Sequence, residues 1–439
     1  MPRPPCRTAS VLVVLASLAM MPACGSGAGQ NSPAETDGSP ATDEDAGASD
    51  AGTSTPEAAA YPATAPSLPV IESAGGTVLA TPRIVPVFFP GETQAAMLTG
   101  AIGKYVASAE WRDATGPYGV GATVAADPVA SADALPDGAT VDVGVWLASH
   151  LDGSDPAWGP TDRATLASSI YVLYPAAGTT VFAPGRDPSD PAAATLCGTR
   201  PWDLPGWHSQ TTPAPGPAPA IAFALVGACA PAGVSLADAM TSTTTHELAE
   251  AATDPLLITS SAYSSLDEAH AFWSELTGGS EIGDLCEQKL VTPADVGYAV
   301  QRIWSNAAAS AGHDPCVPAV APAYFDVAAD APDSLFDPYA NAEVRGVAIP
   351  QGQSRTIDVH LLSDGPTDAW TVSAVDPNQA QGGAELLKMT FDHDTGSNGD
   401  VLHLTIQPLF HAPGETALYE LDSKLHGVIQ RWYGEIVVR

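Results

Sequence analysis

The chain has 439 residues, 16 of them Lys or Arg and 50 Asp or Glu, for a formal net charge of -34. That balance speaks against nucleic acid and against an anionic lipid surface as partners, since either needs a basic face. A hydrophobic fraction of 45% over this length is ample for packed cores and suggests two domains.

The first 24 residues have the form of an export signal. Arg3 and Arg7 precede an apolar stretch from Val11 to Met20, too short to span a bilayer, and Met21-Pro22-Ala23-Cys24 follows. The small residue before Cys24 makes that cysteine the expected site of a lipid, so a membrane is the expected partner, with simple secretion as the other reading. Gly25 and Ser26 lack the acidic residue that often retains a lipoprotein at an inner membrane, which points to the outer membrane or cell surface. Residues 25 to 60 are dominated by Gly, Ser, Ala, Pro, Thr, Asp and Glu, and no Lys or Arg falls between Arg7 and Arg83. Such a segment cannot bury enough apolar surface to offset its ordering entropy and is predicted to be a disordered, self-repelling acidic linker.

Residues 61 to 318 have the pattern of an α/β domain. Arg83 to Phe89 forms a strand run closed by Pro90-Gly91, and Leu98, Ile102, Tyr105 and Ala109 at helical spacing predict a helix from Thr93 to Trp111. Further strands are predicted at Thr140 to Leu147, Ile170 to Tyr174, Thr179 to Ala183 and Ala220 to Gly227, with helices at Thr161 to Ser169 and Leu236 to Asp254. From residue 319 to 439 the period changes to two, in Thr356 to Leu361, Trp370 to Ala374, Val401 to Ile406 and Gly434 to Val438. Short strands with regular turn signals predict an immunoglobulin-like β-sandwich, a packing or adhesion module without a catalytic constellation. The fold class expected is therefore α+β: a mixed sheet with helices, then a sandwich.

Of the six cysteines, Cys6 and Cys24 belong to the signal. In an exported chain the remaining even set implies disulfides; of the three possible pairings, Cys197 with Cys229 and Cys286 with Cys316 is favoured because each pair closes a local loop. A four-thiolate zinc site is the alternative, but no C-x-x-C spacing supports it.

Chemistry concentrates in His246-Glu-Leu-Ala-Glu250 near the end of a predicted helix. Residues four apart share a helix face, so His246 and Glu250 direct an imidazole and a carboxylate at one point, as the H-E-x-x-H helix of zinc peptidases does. Glu247 is then the candidate catalytic base, placed to take a proton from an attacking water. Glu250 stands where that pattern has its second histidine, a change that adds negative charge and moves preference toward harder cations such as Ca²⁺ or Mn²⁺. An exposed i, i+4 pair also occurs often as a solvated helix face. Asp284, beside Cys286, is the first choice for a third ligand, with Glu281 next to it; Asp254, turned by Pro255, competes, or is simply a turn residue. His208, which follows Trp207, is weighed as a structural hydrogen-bonding residue against a ligand or transition-state donor. His150, His270 and His313 are expected at the surface.

His246 to Pro255, Glu281 to Cys286 and Val300 to Asn306 together resemble the plant Exordium or phosphate-induced protein family and its bacterial secreted relatives. Tyr118 to Gly121, Tyr171 to Pro175 and the run from Cys197 through Trp207-His208-Ser209 are similar to the bacterial members. The resemblance spans about residues 75 to 318 and implies secretion and a zincin-like domain, without settling activity. By position, it carries across only His246, Glu247, Glu250, Glu281 and Asp284 as site residues.

The leading expectation is a cell-surface metal-dependent hydrolase, peptidase-like and acting on a peptide or cell-envelope substrate, with Zn²⁺ (Ca²⁺ as the alternative) held by His246, Glu250 and Asp284. The rival is a non-catalytic surface binding or adhesion lipoprotein with a degenerate or structural metal site. A purely structural envelope lipoprotein is the third reading.

Overall fold

A computed structural model describes residues 60–136, 142–183, 193–200, 203–211 and 219–439. The signal, Cys24, most of the linker and Thr140 lie outside the described residues.

The N-terminal part is built on strands β1 (Arg83–Phe88), β2 (Val124–Ala125), β3 (Ser169–Tyr174), β4 (Gly206–Gln210) and β5 (Ala222–Val226). They lie in the order β2-β1-β3-β5-β4. All neighbours are parallel except β4, which runs antiparallel to β5 at the edge. Every residue of β3 and β5 is buried, as expected of central strands covered on both faces.

The helix expected over residues 93 to 111 is two helices, α1 (Ala95–Ala107) and α2 (Ala109–Thr115). Ser108 leaves the helical region, with ψ 170°, and its hydroxyl accepts the Trp111 N–H as the N-cap of α2. Leu98, Ile102 and Tyr105 are buried as their spacing implies, whereas Ala109 falls beyond the break and is exposed. The strand expected at Thr140 to Leu147 is instead helix α3 (Val143–His150), capped by the Asp142 carboxylate on the Val145 N–H. Val143, Leu147 and Leu151, four residues apart, all enter the apolar core, so the period there is helical and not alternating. Helix α4 (Arg163–Ala167) is shorter than the expected 161 to 169, because Asp162 caps its start and Ser169 already belongs to β3. Thr179 to Ala183 is no strand; it pairs through a single bridge, Phe182 to Thr195. Helix α5 (Leu236–Thr253) follows β5.

The C-terminal part is strand-rich: β6 (Phe325–Ala329), β7 (Asp333–Asp337), β8 (Ala342–Ile349), β9 (Arg355–Ser363), β10 (Trp370–Val375), β11 (Leu387–Phe391), β12 (Thr395–Gly396), β13 (Val401–Pro408), β14 (Thr416–Leu425) and β15 (Val428–Val438). They form a four-stranded sheet, β6-β9-β13-β11, and a six-stranded sheet, β7-β8-β15-β14-β10-β12. Alternation places Ile357, Val359 and Leu361 of β9 and Leu402, Leu404 and Ile406 of β13 in the core. The two parts share one apolar cluster, and Trp273 packs edge-on against Trp432 and Tyr433 at centroid distances of 5.2 and 5.0 Å.

Two histidines expected at the surface are packed. His150 lies over Trp146 and Trp158, with ring centroids 4.2 and 4.8 Å apart, and His270 sits against Trp273 and Trp432 with Nδ1 2.8 Å from Asp267. His313 is exposed, as expected.

Candidate functional site

Helix α5 runs through the core although it is rich in threonine. The hydroxyls of Thr241, Thr244 and Thr253 donate to carbonyls four residues earlier, which satisfies them without solvent. Leu248, Ala249, Ala251 and Ala252 then bury the rest of its last turns completely. At its end the wholly buried Asp254 carboxylate accepts the Ser261 hydroxyl at 3.0 Å and the Ala262 N–H at 2.9 Å. Those bonds make it a turn-bracing residue that belongs to neither of the donor trios described next.

One helical turn apart, His246 Nε2 and Glu250 Oε1 lie 3.2 Å from each other. Asp284 brings Oδ1 to 3.8 Å from the same nitrogen. From edge strand β4, His208 enters the other side: its Nδ1 is 3.3 Å from Glu250 Oε2 and 3.7 Å from Glu247 Oε2, and its Nε2 is 3.5 Å from Glu281 Oε1. Two donor trios result, His208 with Glu250 and Glu281, and His246 with Glu250 and Asp284, each with its ligand atoms within 4.8 Å of one another. The side chains of His208, Glu247 and Glu250 are sealed, while those of His246, Glu281 and Asp284 are 15%, 14% and 18% exposed and form the rim.

The loop carrying Glu281 and Asp284 is seated by small residues and a bridge. The Gly283 N–H donates to Glu250 Oε1 at 3.1 Å, an approach so close that a Cβ there would meet that oxygen at 2.6 Å and His246 Nδ1 at 2.8 Å. The Glu281 N–H donates to Asp284 Oδ2 at 2.9 Å, and Cys286 is bonded to Cys316 directly after. The second disulfide joins Cys197 to Cys229, so both pairings follow the local-loop expectation. Gln301 orients His246: its Nε2 donates to the Gly283 carbonyl at 2.7 Å, which leaves Oε1 to accept from His246 Nδ1 at 3.1 Å. In the neutral ring this bond favours the proton on Nδ1, which makes Nε2 the nitrogen available to ligate a cation.

The crowding of acids and imidazoles shifts the protonation equilibria of the cluster. Burial disfavours the imidazolium of His208, yet Glu281, Glu247 and Glu250 hold its pKa well above the ordinary value; for His246, burial is likewise outweighed by Glu250. Burial pushes Glu281 well up and Glu247 up, and it raises Asp284 to about 8 with the help of the Glu250 charge. Glu250 alone is held low, burial being outweighed by His246 and His208. Carboxylates forced together in this way mark a candidate functional site.

No family model and no curated protein matches this chain. Among solved structures, a chimeric titin Z1Z2 functionalised with a KLER peptide from decorin is 18% identical over 21% of this chain and 85% of that chain, with a TM-score of 0.15. The titin I-band fragment I67-I69 is 17% identical over 27% of this chain and 33% of that chain, with a TM-score of 0.16. The twitchin kinase region from C. elegans is 15% identical over 21% of this chain and 15% of that chain, also at 0.16. Scores of this size carry no argument about fold or function, which therefore rest on the geometry.

Of the residues expected from sequence, the fold brings His246, Glu247, Glu250, Glu281 and Asp284 together and adds His208 in a central place. Asp254 serves the helix end instead. Gln301 was not anticipated. Its signal would have been a buried amide paired with a histidine 55 residues away, which no local pattern exposes.

Two disulfides fit an oxidising compartment, and among the described residues no helix is long and apolar enough to cross a membrane.

Proposed function

We propose that this protein is an exported, Cys24-anchored metal-dependent hydrolase, peptidase-like in its chemistry, with a zincin-like domain followed by an immunoglobulin-like sandwich. The observation that supports it most is the convergence of two imidazoles and several carboxylates from a helix, an edge strand and a disulfide-pinned loop on one small volume. The Exordium-like motifs cover the same residues.

The donors suit a cation. His208 Nε2 and Glu281 Oε1 are buried with no hydrogen-bond partner, a state that a bound ion relieves. Imidazole nitrogens favour Zn²⁺ over Ca²⁺, which takes oxygen ligands. His246, Glu250 and Asp284 would hold the ion. Once bound, a divalent cation there supplies Lewis-acid polarisation of a substrate carbonyl and makes water easier to deprotonate.

The chain's own groups do the rest. Glu247, next to the first ligand and only 4% exposed, takes the proton of the attacking water and passes it to the leaving group. Gln301 keeps the His246 ring in register through Nδ1. The rim of His246, Glu281 and Asp284 is the side from which a substrate carbonyl approaches.

The test uses the purified full chain with bound metal measured by elemental analysis. Glu247→Gln is expected to lower hydrolysis of a general peptide library by at least about 100-fold with metal content unchanged. His246→Ala is expected to lose the ion. Hydrolysis absent from metal-replete wild type defeats the proposal, and stoichiometric calcium without hydrolysis favours a structural-site binding protein.

A further inference from the structure

We infer that Glu250 bridges two divalent-cation positions, one between His246 and Asp284 and the other between His208 and Glu281. The inference rests on the metal reading above for the first position and adds the second.

It follows from how the two oxygens of Glu250 are used. Oε1 faces His246 Nε2 at 3.2 Å and Oε2 faces His208 Nδ1 at 3.3 Å, so each oxygen addresses a different imidazole. Each imidazole has a further carboxylate of its own: Asp284 is 3.8 Å from His246 Nε2, and Glu281, across the ring from Glu250, is 3.5 Å from His208 Nε2, with one ligand atom of each of His208, Glu250 and Glu281 within 4.8 Å of the others. The ligand atoms of each trio lie within 4.8 Å of one another, so closing to the roughly 3.5 Å between ligands that share one small cation takes side-chain shifts of about 1 Å. A carboxylate shared through separate oxygens is the usual link in two-metal centres, whose ions sit about 3.5–4 Å apart.

One ion leaves the site unfinished. With a cation only at His246 and Asp284, His208 Nε2 and Glu281 Oε1 stay buried without a hydrogen bond, facing each other at 3.5 Å; both residues belong to the second trio. Charge points the same way. Glu247, Glu250, Glu281 and Asp284 crowd one volume with two imidazoles whose neutral form is needed for ligation, and two divalent cations balance four carboxylates where one does not.

Full-length protein, stripped with a chelator and reloaded with Mn²⁺, is read by elemental analysis and by low-temperature electron paramagnetic resonance. About two equivalents per chain and the spectrum of an exchange-coupled pair are expected. His208→Asn and Glu281→Gln should each lower the count to about one and abolish the coupled spectrum, with the remaining ion still lost on His246→Asn. Thermal melts matching wild type establish that each variant is folded, and the wild-type spectrum stands even if a variant is not. One equivalent in wild type, or two without coupling, overturns the inference. One equivalent with hydrolysis intact overturns the bridge alone, whereas no bound metal and no hydrolysis overturn the functional reading as well.

Discussion

Gly283→Ala is the sharpest probe of the site, because it adds one methyl group where the loop crosses the helix. Gly283 has φ -80° and ψ -42°, a region alanine adopts freely, so backbone strain plays no part. The cost is collision: the new Cβ would lie 2.6 Å from Glu250 Oε1, 2.8 Å from His246 Nδ1 and 2.9 Å from His246 Cε1. Ordinary contact distances require each neighbour to retreat by roughly 1 Å, which also stretches the bond from the Gly283 N–H to Glu250. Overpacking of this kind costs about 1–3 kcal/mol of stability. Displacing a ligand and the ring beside it should lower metal affinity by about 10–100-fold. Isothermal titration with Zn²⁺ measures the affinity, and urea denaturation of the metal-free protein measures the stability. Gly100→Ala is the control, since no atom lies within 4 Å of a Cβ at that helical glycine and the change should be neutral or slightly stabilising. Wild-type affinity in Gly283→Ala would refute the claim that His246 and Glu250 hold an ion beneath this loop.

Two further perturbations report on the frame around the site. Replacing Cys286 and Cys316 together by serine opens a loop of sequence separation 30 and should cost about 3–4 kcal/mol in urea denaturation; a loss under about 1 kcal/mol would deny the bridge its role in seating the Asp284 loop. Glu435 on β15 is buried with Oε2 unpartnered, and burial, with the charges of Asp337 and Glu275, raises its pKa to about 8. A carboxyl whose folded pKa exceeds its unfolded value of about 4.3 is better tolerated protonated, so its contribution is fully present below that value and is lost as pH rises to about 8. Stability of the wild type should therefore fall between pH 5 and 8 in denaturant titrations, and Glu435→Gln should flatten that slope; an unchanged slope would remove Glu435 from the account.

How much could be read from residues alone depends on how local the deciding interaction is. Helix α5 was legible at both ends because Ser235 caps its start and Pro255 follows its end. Buried strands β3 and β5 were legible as short apolar runs. Residues 140 to 147 were misread because the alternating valines Val141, Val143 and Val145 hide the i, i+4 series Val143, Leu147, Leu151 until Asp142 is seen capping it. The long first helix was misread at Ser108 for a related reason, since a serine inside an amphipathic pattern is as good a cap as it is a surface residue.

Charge, the cysteine pairing by loop closure and the His246, Glu247, Glu250 face were determined by sequence alone, because each depends on composition or on residues within a turn or a short loop of one another. Tertiary structure alone decided that His208 reaches Glu250 from an antiparallel edge strand and that Gln301 holds the His246 ring. It also decided that Asp254 is spent on Ser261 and Ala262 and joins neither donor trio. Those placements arise from strand order and a loop packed across the helix through Gly283, and contacts between segments tens of residues apart leave no periodic trace in the chain that makes them.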